Sequence, residues 1–420
     1  MIQYIPQRCQ PWRHKKAECT LCLDACPVEA CLKREDGRIT ADRSLCTDCG
    51  VCTTVCPSGA LVLEWLDDRE LLRRLVKVSE GRPLALVCGL GPGARDAQIR
   101  PGWQEGLSIA MLPCLAVLKE SHLVHLVARN SLKISLDCSG CHGCSITGGM
   151  EIIKKNAAYA ENLLSALAIH DMIELLTDAP PAPSRGAGGA GGAGRGTVFR
   201  RKGTKGRVRE IAPAPEYSRR ELFTFFGEKA RAGVSERLLG RSSEAGDGFQ
   251  SPQGDIPDRR AILLDALDAL EGGPASSATL SDGEFPVRSI SLSGCVICRR
   301  CDNFCPTGAL RRVEREGETY IEFELNRCVS CRQCRELCPE GAISYDNVVG
   351  LGALCGRGPV TLASTPRAAC PTCEKHYHPE LDRNGCPTCL KRARLDSFIT
   401  SILFGGGKEK ARPKDSKEAV

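Results

Sequence analysis

Any chemistry in this sequence must turn on cysteine, which supplies 27 of its 420 residues. Cys295, Cys298, Cys301 and Cys305-Pro306 follow the spacing C-x2-C-x2-C-x3-C-P, and Cys328, Cys331, Cys334 and Cys338-Pro339 repeat it. Three thiolates two residues apart can wrap three corners of an iron–sulfur cubane. A fourth, carried past the turn by proline, reaches a second cubane. The expected ligand sets therefore interlock, Cys295, Cys298, Cys301 and Cys338 at one [4Fe–4S] cluster and Cys328, Cys331, Cys334 and Cys305 at its partner. Structural zinc, the plainer reading of paired cysteines, has no need of such interlocking.

A second pair of runs lies near the N-terminus. Cys46, Cys49, Cys52 and Cys56-Pro57 are complete and, with Cys26, furnish one full [4Fe–4S] site. The other site has Cys19, Cys22 and Cys56, but Lys16 stands where its first ligand belongs. Three arrangements are open: Cys9 folds back as the fourth ligand, the site holds three irons, or it is empty. The ligand count favours Cys9. Cys31 aligns with Leu61, Leu310 and Ile343 after each Cys-Pro turn, which reads as a small buried thiol.

Two further groups have different spacings. Cys138, Cys141 and Cys144 form a tight triad with no Cys-Pro after it, and Cys114 and Cys88 each end an expected strand, so either can supply a fourth ligand to a candidate fifth iron–sulfur centre. Zinc or a redox thiol site is the alternative. Cys370-Pro371-Thr372-Cys373 and Cys386-Pro387-Thr388-Cys389 read as two facing knuckles, a closed four-thiolate site that favours Zn2+, with rubredoxin-type iron the second choice. Cys355 reads as a core thiol, and His376 and His378 as neighbours not required by that site.

The elements that must position these thiols come from periodicity and punctuation. Paired runs at 19–61 and 295–343 form an internal repeat, each with a hairpin between its halves, at Asp36-Gly37 and Glu316-Gly317. Between them, Leu84 to Cys88, Leu107 to Cys114 and Leu132 to Cys138 read as strands, and 115–129 and 148–176 as helices. That alternation predicts a small parallel α/β domain with cysteines at the carboxyl edge of its sheet, where such sheets bind ligands. The Pro/Gly/Ala-rich stretch after it, and the basic run through Arg209, read as linker. A capping box at Ser218 and Glu221 and a helix at 259–271 follow.

At the cysteine runs the resemblance is plain: both ends resemble bacterial-type two-cluster ferredoxins, and the whole resembles a polyferredoxin. The match covers about a quarter of the chain and implies low-potential, one-electron transfer with no chemistry on a bound substrate. More loosely, Pro83 to Ala168 resembles the small iron–sulfur subunit of methyl-viologen-reducing-type hydrogenases, through Val87-Cys88, Pro113-Cys114 and Cys141-His142-Gly143 before a long helix. That family's second cysteine is missing here, where Gly91 or a neighbour stands, so a [2Fe–2S] centre does not carry over.

The expected architecture is multidomain α+β: two ferredoxin-like dicluster modules flanking a small parallel α/β domain, plus a C-terminal zinc knuckle or ribbon. Its boundaries are 1–65 for the N-terminal module, 80–177 for the α/β domain, 178–216 for a disordered linker and 217–284 for a helical connector. The C-terminal module follows at 285–350, the four-Cys knuckle at 366–394 and a disordered tail at 405–420. Composition excludes other classes. With 57 basic and 51 acidic side chains, a net charge of +6 is too balanced to imply nucleic acid. No run of eighteen apolar residues suggests a membrane span, and the start of the chain lacks the pattern of a signal peptide. The expected setting is therefore a reducing cytoplasm, where closely spaced thiols bind metal rather than form disulfides.

The function expected is an electron-transfer subunit, more a carrier than an enzyme. It would relay single electrons through about four [4Fe–4S] clusters to or from a partner oxidoreductase of hydrogenase, heterodisulfide-reductase-like or formate-dehydrogenase type, with no small-molecule substrate. Two alternatives remain in view. One is a redox enzyme acting on a small substrate or disulfide at the central cysteines. The other is a redox-responsive nucleic-acid-binding protein, for which the knuckles lack stacking aromatics.

Overall fold

The computed structural model describes residues 2–15, 17–89, 106–177, 208–210, 256–270, 278–281, 286–315, 317–356, 358–366, 368–374, 376–377, 385, 389–390 and 392–397. The N-terminal part comprises β1 (Ile2–Tyr4), α1 (Gln10–Arg13), α2 (Leu21–Asp24), β2 (Leu32–Glu35), β3 (Arg38–Ala41), α3 (Val51–Val55) and β4 (Leu61–Leu63). Strand β1 pairs antiparallel with β4, and β2 with β3. The β2–β3 turn places Asp36 and Gly37 at φ 50° and 77°, the left-handed pair that a two-residue hairpin requires.

Helix α4 (Asp68–Ser79), absent from the sequence expectations, leads out of this module. Asp67 caps it by accepting from the Glu70 amide at 2.7 Å, and Leu71, Leu72 and Leu75 form its buried face. The central sheet follows, built from β5 (Leu84–Cys88), β6 (Ser108–Leu112), β7 (Ile134–Asp137), β8 (Ile173–Leu176) and β9 (Val208–Glu210). These are parallel in the order β8-β7-β5-β6-β9, with helices α5 (Glu120–Asn130) and α6 (Gly149–Ala166) between strands.

Two expectations are corrected here. The long helix ends at Ala166 rather than 176, because Ala168 and Asp171 take positive φ and the chain re-enters the sheet as β8. Val208–Glu210, expected within disordered linker, instead pairs in parallel with β6. The capping box at Ser218 and Glu221 lies outside the described residues.

Helix α7 (Asp258–Asp268) precedes β10 (Thr279–Ser281) and the C-terminal repeat. This comprises β11 (Ile290–Leu292), α8 (Arg300–Phe304), β12 (Leu310–Arg315), β13 (Glu318–Phe323), α9 (Gln333–Leu337) and β14 (Ile343–Tyr345). Strands β11 and β14 pair as β1 and β4 do, and β12 with β13 as β2 with β3. The repeat in sequence is thus a repeat in structure. A strand at Val360–Pro366 extends the second hairpin, and Cys355 ends a short helix, half-buried, with burial and then Asp268 pushing its thiol up to about 11.

One buried core runs from Val51 and Leu63 through Leu84, Leu112 and Leu136 to Leu263, Ile290 and Leu354. Buried ion pairs stitch the layers. Lys119 holds Asp68 at 2.6 and 2.7 Å, and Arg259 of α7 holds Glu120 while donating to the Thr54 carbonyl at 2.9 Å. Burial works to raise Asp68, but Lys119 and His122 outweigh it and hold that carboxyl well below the usual range.

Candidate metal centres

The three regular cysteine runs share one loop geometry. In each, the residues two and four places after the first cysteine take left-handed φ: Asp48 and Gly50, Ile297 and Arg299, Ser330 and Arg332. Five of these six are not glycine, so each run holds strain of about 1–2 kcal/mol per such residue. The reward for that backbone is a nest of amides around the thiols, suited to an anionic centre. The amides of Ile297 and Ser330 reach the sulfurs of Cys295 and Cys328 at 3.4 Å, and Ala342 reaches Cys338 at 3.3 Å.

The thiols gather in the interlocked sets. A cavity is lined by Cys295, Cys298, Cys301 and Cys338 together. Cys331 is raised by burial and by Cys305, Cys328 and Cys334, and Cys334 is pushed up to about 12 by burial, Cys328 and Cys305. In the N-terminal module a cavity is lined by Cys26, Cys46, Cys49 and Cys52, with Cys31 as a fifth thiol. Cys31 is buried, but it also borders this site; burial, then Cys26 and Cys46, push it up to about 12.

The irregular site has an equally clear basis. Burial pushes Cys22 up to about 12, assisted by Cys56, Cys19 and Cys9, so these four thiols stand together. Cys9 follows a 3-10 turn, Pro6–Arg8, and its amide donates to the Pro6 carbonyl at 2.9 Å. Cys328 follows the 3-10 turn Leu325–Arg327 in the same way, at 3.0 Å. Backbone angles agree as well, φ −83° and ψ 127° at Cys9 against −73° and 127° at Cys328. Cys9 thus stands where Cys328 stands in the other module, with residues 10–18 between it and Cys19 where the regular spacing has two. Lys16 lies outside the described residues.

That insertion joins the modules. Gln10 donates from Nε2 to the Cys331 carbonyl at 3.0 Å, and Arg13 from Nη2 to the carbonyls of Asn303 and Cys305 at 3.4 Å. His14 meets the Phe304 ring edge-on at 4.4 Å. A cleft of about 880 Å³ touches Cys19 on one side and Cys331 on the other. The sequence signal was available in the departure itself, since an extra helical turn between ligands must go somewhere.

On the other side, the N-terminal module packs on the central sheet. Thr54 Oγ1 donates to the Ala116 carbonyl at 2.7 Å, and a Cβ on Gly50 would sit 2.8 Å from Val117 Cγ2. At the carboxyl edge of the sheet, Cys114 hydrogen-bonds Cys88, and Cys138 hydrogen-bonds Cys141. Cys88 acts on both members of the second pair, and Cys49 of the N-terminal module acts on Cys114. Cys88 therefore stands between Cys114 and the pair of Cys138 and Cys141. The Ile146 amide donates to the Cys144 sulfur at 3.4 Å, the same contact that Ile297 and Ser330 make with Cys295 and Cys328. The hydrogen bond from Cys138 lowers Cys141, the thiolate-prone member of the pair.

Near the C-terminus the sulfurs of Cys370, Cys373 and Cys389 all lie within 4.8 Å of one another. Cys386 and His378 lie outside the described residues, as does the side chain of His376. Among the described residues no helix is long and apolar enough to cross a membrane.

The donor sets fit iron–sulfur clusters. Burial and then neighbouring thiols raise Cys22, Cys52, Cys331 and Cys334, so as bare thiolates they oppose their neighbours, and a cationic iron core removes the conflict. Around Cys305, Cys328, Cys331 and Cys334, both polar atoms of the Gln333 side chain and Tyr345 OH are buried without a protein partner, and Gln333 Nε2 and Tyr345 OH are placed as donors to cluster sulfur would be.

Comparison with known proteins agrees. Residues 294–342 match the family described as 4Fe-4S dicluster domain, and residues 38–61 match that described as 4Fe-4S binding domain. An uncharacterized ferredoxin of Methanocaldococcus jannaschii is 44% identical over 50 residues, 12% of this chain and 81% of that protein. A selenate reductase subunit of Mesobacillus selenatarsenatis is 33% identical over 63 residues, 15% of this chain and 20% of the relative. An Hdr-like menaquinol oxidoreductase iron-sulfur subunit of Archaeoglobus fulgidus is 33% identical over 72 residues, 17% of this chain and 25% of the relative. The chain thus spans only a fifth to a quarter of these two larger relatives. On its cysteine spacing, its loop geometry and its coverage of the archaeal ferredoxin, the chain belongs to the ferredoxins.

Proposed function

We propose that the chain relays single electrons along one path of thiol-bound centres, to or from a partner oxidoreductase. The observation that carries this reading is contiguity. Cys301 of the Cys295/Cys298/Cys301/Cys338 set feels Cys334 of the Cys305/Cys328/Cys331/Cys334 set. Gln10 and Arg13 join the latter to the Cys9/Cys19/Cys22/Cys56 set. Cys52 feels Cys22, which links that set to Cys26/Cys46/Cys49/Cys52, and Cys114 feels Cys49. Four of these sets are assigned to [4Fe–4S] clusters. The fifth, drawn from Cys88, Cys114, Cys138, Cys141 and Cys144, is assigned to a further iron–sulfur centre at the end of the path. When bound, the clusters supply one-electron transfer at low potential.

The protein's own part is to hold the thiols in register, exclude water with the shared core and fix the module junctions. Zn2+ at Cys370, Cys373, Cys386 and Cys389 has a structural role in this reading, being closed by four thiolates. The partner is proposed as an oxidoreductase of the hydrogenase, heterodisulfide-reductase-like or formate-dehydrogenase kind, in a cytoplasmic setting. The reductase subunits to which this chain is similar support an oxidoreductase partner in general, and the Hdr-like relative speaks for the heterodisulfide-reductase-like kind. A second reading, a redox enzyme acting on a small substrate or disulfide at the central cysteines, is favoured by the Cys138 hydrogen bond that lowers the Cys141 thiol.

Iron, sulfide and zinc analysis of the anaerobically purified full chain tests the relay. The proposal expects about sixteen to twenty irons, about one zinc and no turnover without a partner. Two irons or fewer with several zincs would contradict it. Disulfide reduction by the isolated chain that ceases in Cys141→Ala would favour the second reading.

A further inference from the structure

Among the four ferredoxin-type sets, one receives two arginines from outside its own module. Arg260, carried by α7, is 5% exposed, and its Nη2 donates to the Cys328 carbonyl while Nη1 is buried without a protein partner. Arg13, carried by the inserted helix α1, donates from Nη2 to the Cys305 carbonyl, and its Nε is likewise buried without a partner. Each guanidinium comes from a different element, yet both converge on Cys305, Cys328, Cys331 and Cys334.

The adjoining set differs. There the carboxylate of Asp302 acts on Cys295 and Cys301, and its Oδ1 is buried without a hydrogen-bond partner. Glu120, the nearest acid to Arg260, is already engaged by Arg259. A guanidinium keeps its proton throughout the pH range in which proteins are folded, so Arg13 and Arg260 are fixed positive charges.

We propose that Arg13 and Arg260 are positioning residues that raise the midpoint potential of the Cys305/Cys328/Cys331/Cys334 centre above that of its Cys295/Cys298/Cys301/Cys338 neighbour, making it the collecting point where the two modules meet. The inference rests on the assignment of [4Fe–4S] clusters to these sets. Reduction adds an electron to a centre that four thiolates already make anionic. A buried cation stabilises the reduced form more than the oxidised one, and a site of low dielectric strengthens the effect. Both unpaired N–H groups can also donate to cluster sulfur, which acts in the same direction. Arg13 matters twice over, because it enters only when the N-terminal module is docked.

The test is an EPR-monitored redox titration of the anaerobic, full-length holoprotein, with iron counted in every sample. In Arg260→Gln and in Arg13→Gln, one and the same cluster should titrate at a lower potential than in the wild type. It should titrate lower still in the double variant, with iron content unchanged. That cluster is the one whose signal Cys331→Ser alters, and Arg260→Lys should restore the wild-type value. Wild-type midpoints in both glutamine variants would overturn the inference, as would shifts in two different clusters or a shift in Arg260→Lys equal to that in Arg260→Gln. A wild-type protein without four-iron clusters would instead refute the assignment beneath it.

Discussion

The two ferredoxin modules repeat one plan and depart from it at one point. The C-terminal module keeps every ligand in register, with left-handed residues at both positions of each ligand loop. The N-terminal module keeps one such loop and replaces the other by Cys9, a helical insertion and a cap at Thr20 with φ −123°. The regular module shows what the cluster requires, and the irregular one shows what the protein has added. Residues 10–18 carry Gln10, Arg13 and His14, the side chains that contact the other module. A lapse in the motif is therefore the docking element.

The largest expected effect tests whether the irregular site is a complete one. Cys331→Ser should remove or convert one cluster of about four irons, and Cys9→Ser should do the same. Full iron content in Cys9→Ser beside a loss in Cys331→Ser would mean that the resemblance between Cys9 and Cys328 is only of the backbone.

Next comes the junction between the N-terminal module, α4 and the central sheet. Asp68→Asn leaves the Lys119 charge, 6% exposed, without its partner and should destabilise by about 3–5 kcal/mol. The exposed pair of Arg69 and Asp258 offers the contrast, and Arg69→Gln should stay within about 0.5 kcal/mol. The pH dependence has a definite sign. Asp68 is depressed in the folded state, so its contribution is fully present above the unfolded carboxyl value of about 3.9 and is lost as pH falls toward the folded one. The wild type and Asp68→Asn should differ in chemical denaturation at neutral pH and converge in acid.

A smaller effect separates equivalent loop positions. Gly50→Ala adds a Cβ against Val117 at a residue with φ 76° and should cost about 1–3 kcal/mol. Arg332→Gly, at the matching place in the other module with φ 62°, should stabilise by up to about 1 kcal/mol. Gln10→Ala, at the bottom of the scale, should weaken the junction by about 1 kcal/mol without changing iron content. Thermal unfolding of the holoprotein reads both comparisons.

Much of this was legible in the sequence, for physical reasons that also explain what was not. Spacing fixes which thiols can reach one cubane, so the regular runs could be read residue by residue. The strand end at Cys88 is legible because a run of Leu, Ala and Val stops there, whereas the next strand ends at Leu112 and Cys114 stands two residues beyond it, leading into a 3-10 turn. That Cys88 reaches Cys138 and Cys141 as well as Cys114 depends on how neighbouring strands align, which no local pattern records. The strand at Val208–Glu210 is hidden because it is three residues long with a single apolar residue and sits at a sheet edge. Helix α4 was missed although Asp67 and Glu70 give a cap signal ahead of Leu71, Leu72 and Leu75. The arginines at Cys305 and Cys328 were not readable at all, since Arg13 and Arg260 lie far from those ligands in the chain.

Magnetic coupling across the junction tests the single path most directly. In EPR spectra of the fully reduced full-length protein, the Cys305/Cys328/Cys331/Cys334 centre should show line broadening from the Cys9/Cys19/Cys22/Cys56 centre, and Cys9→Ser should narrow that signal. A spectrum equal to the sum of two independent modules, with the C-terminal line shape unchanged in Cys9→Ser, would contradict a continuous relay.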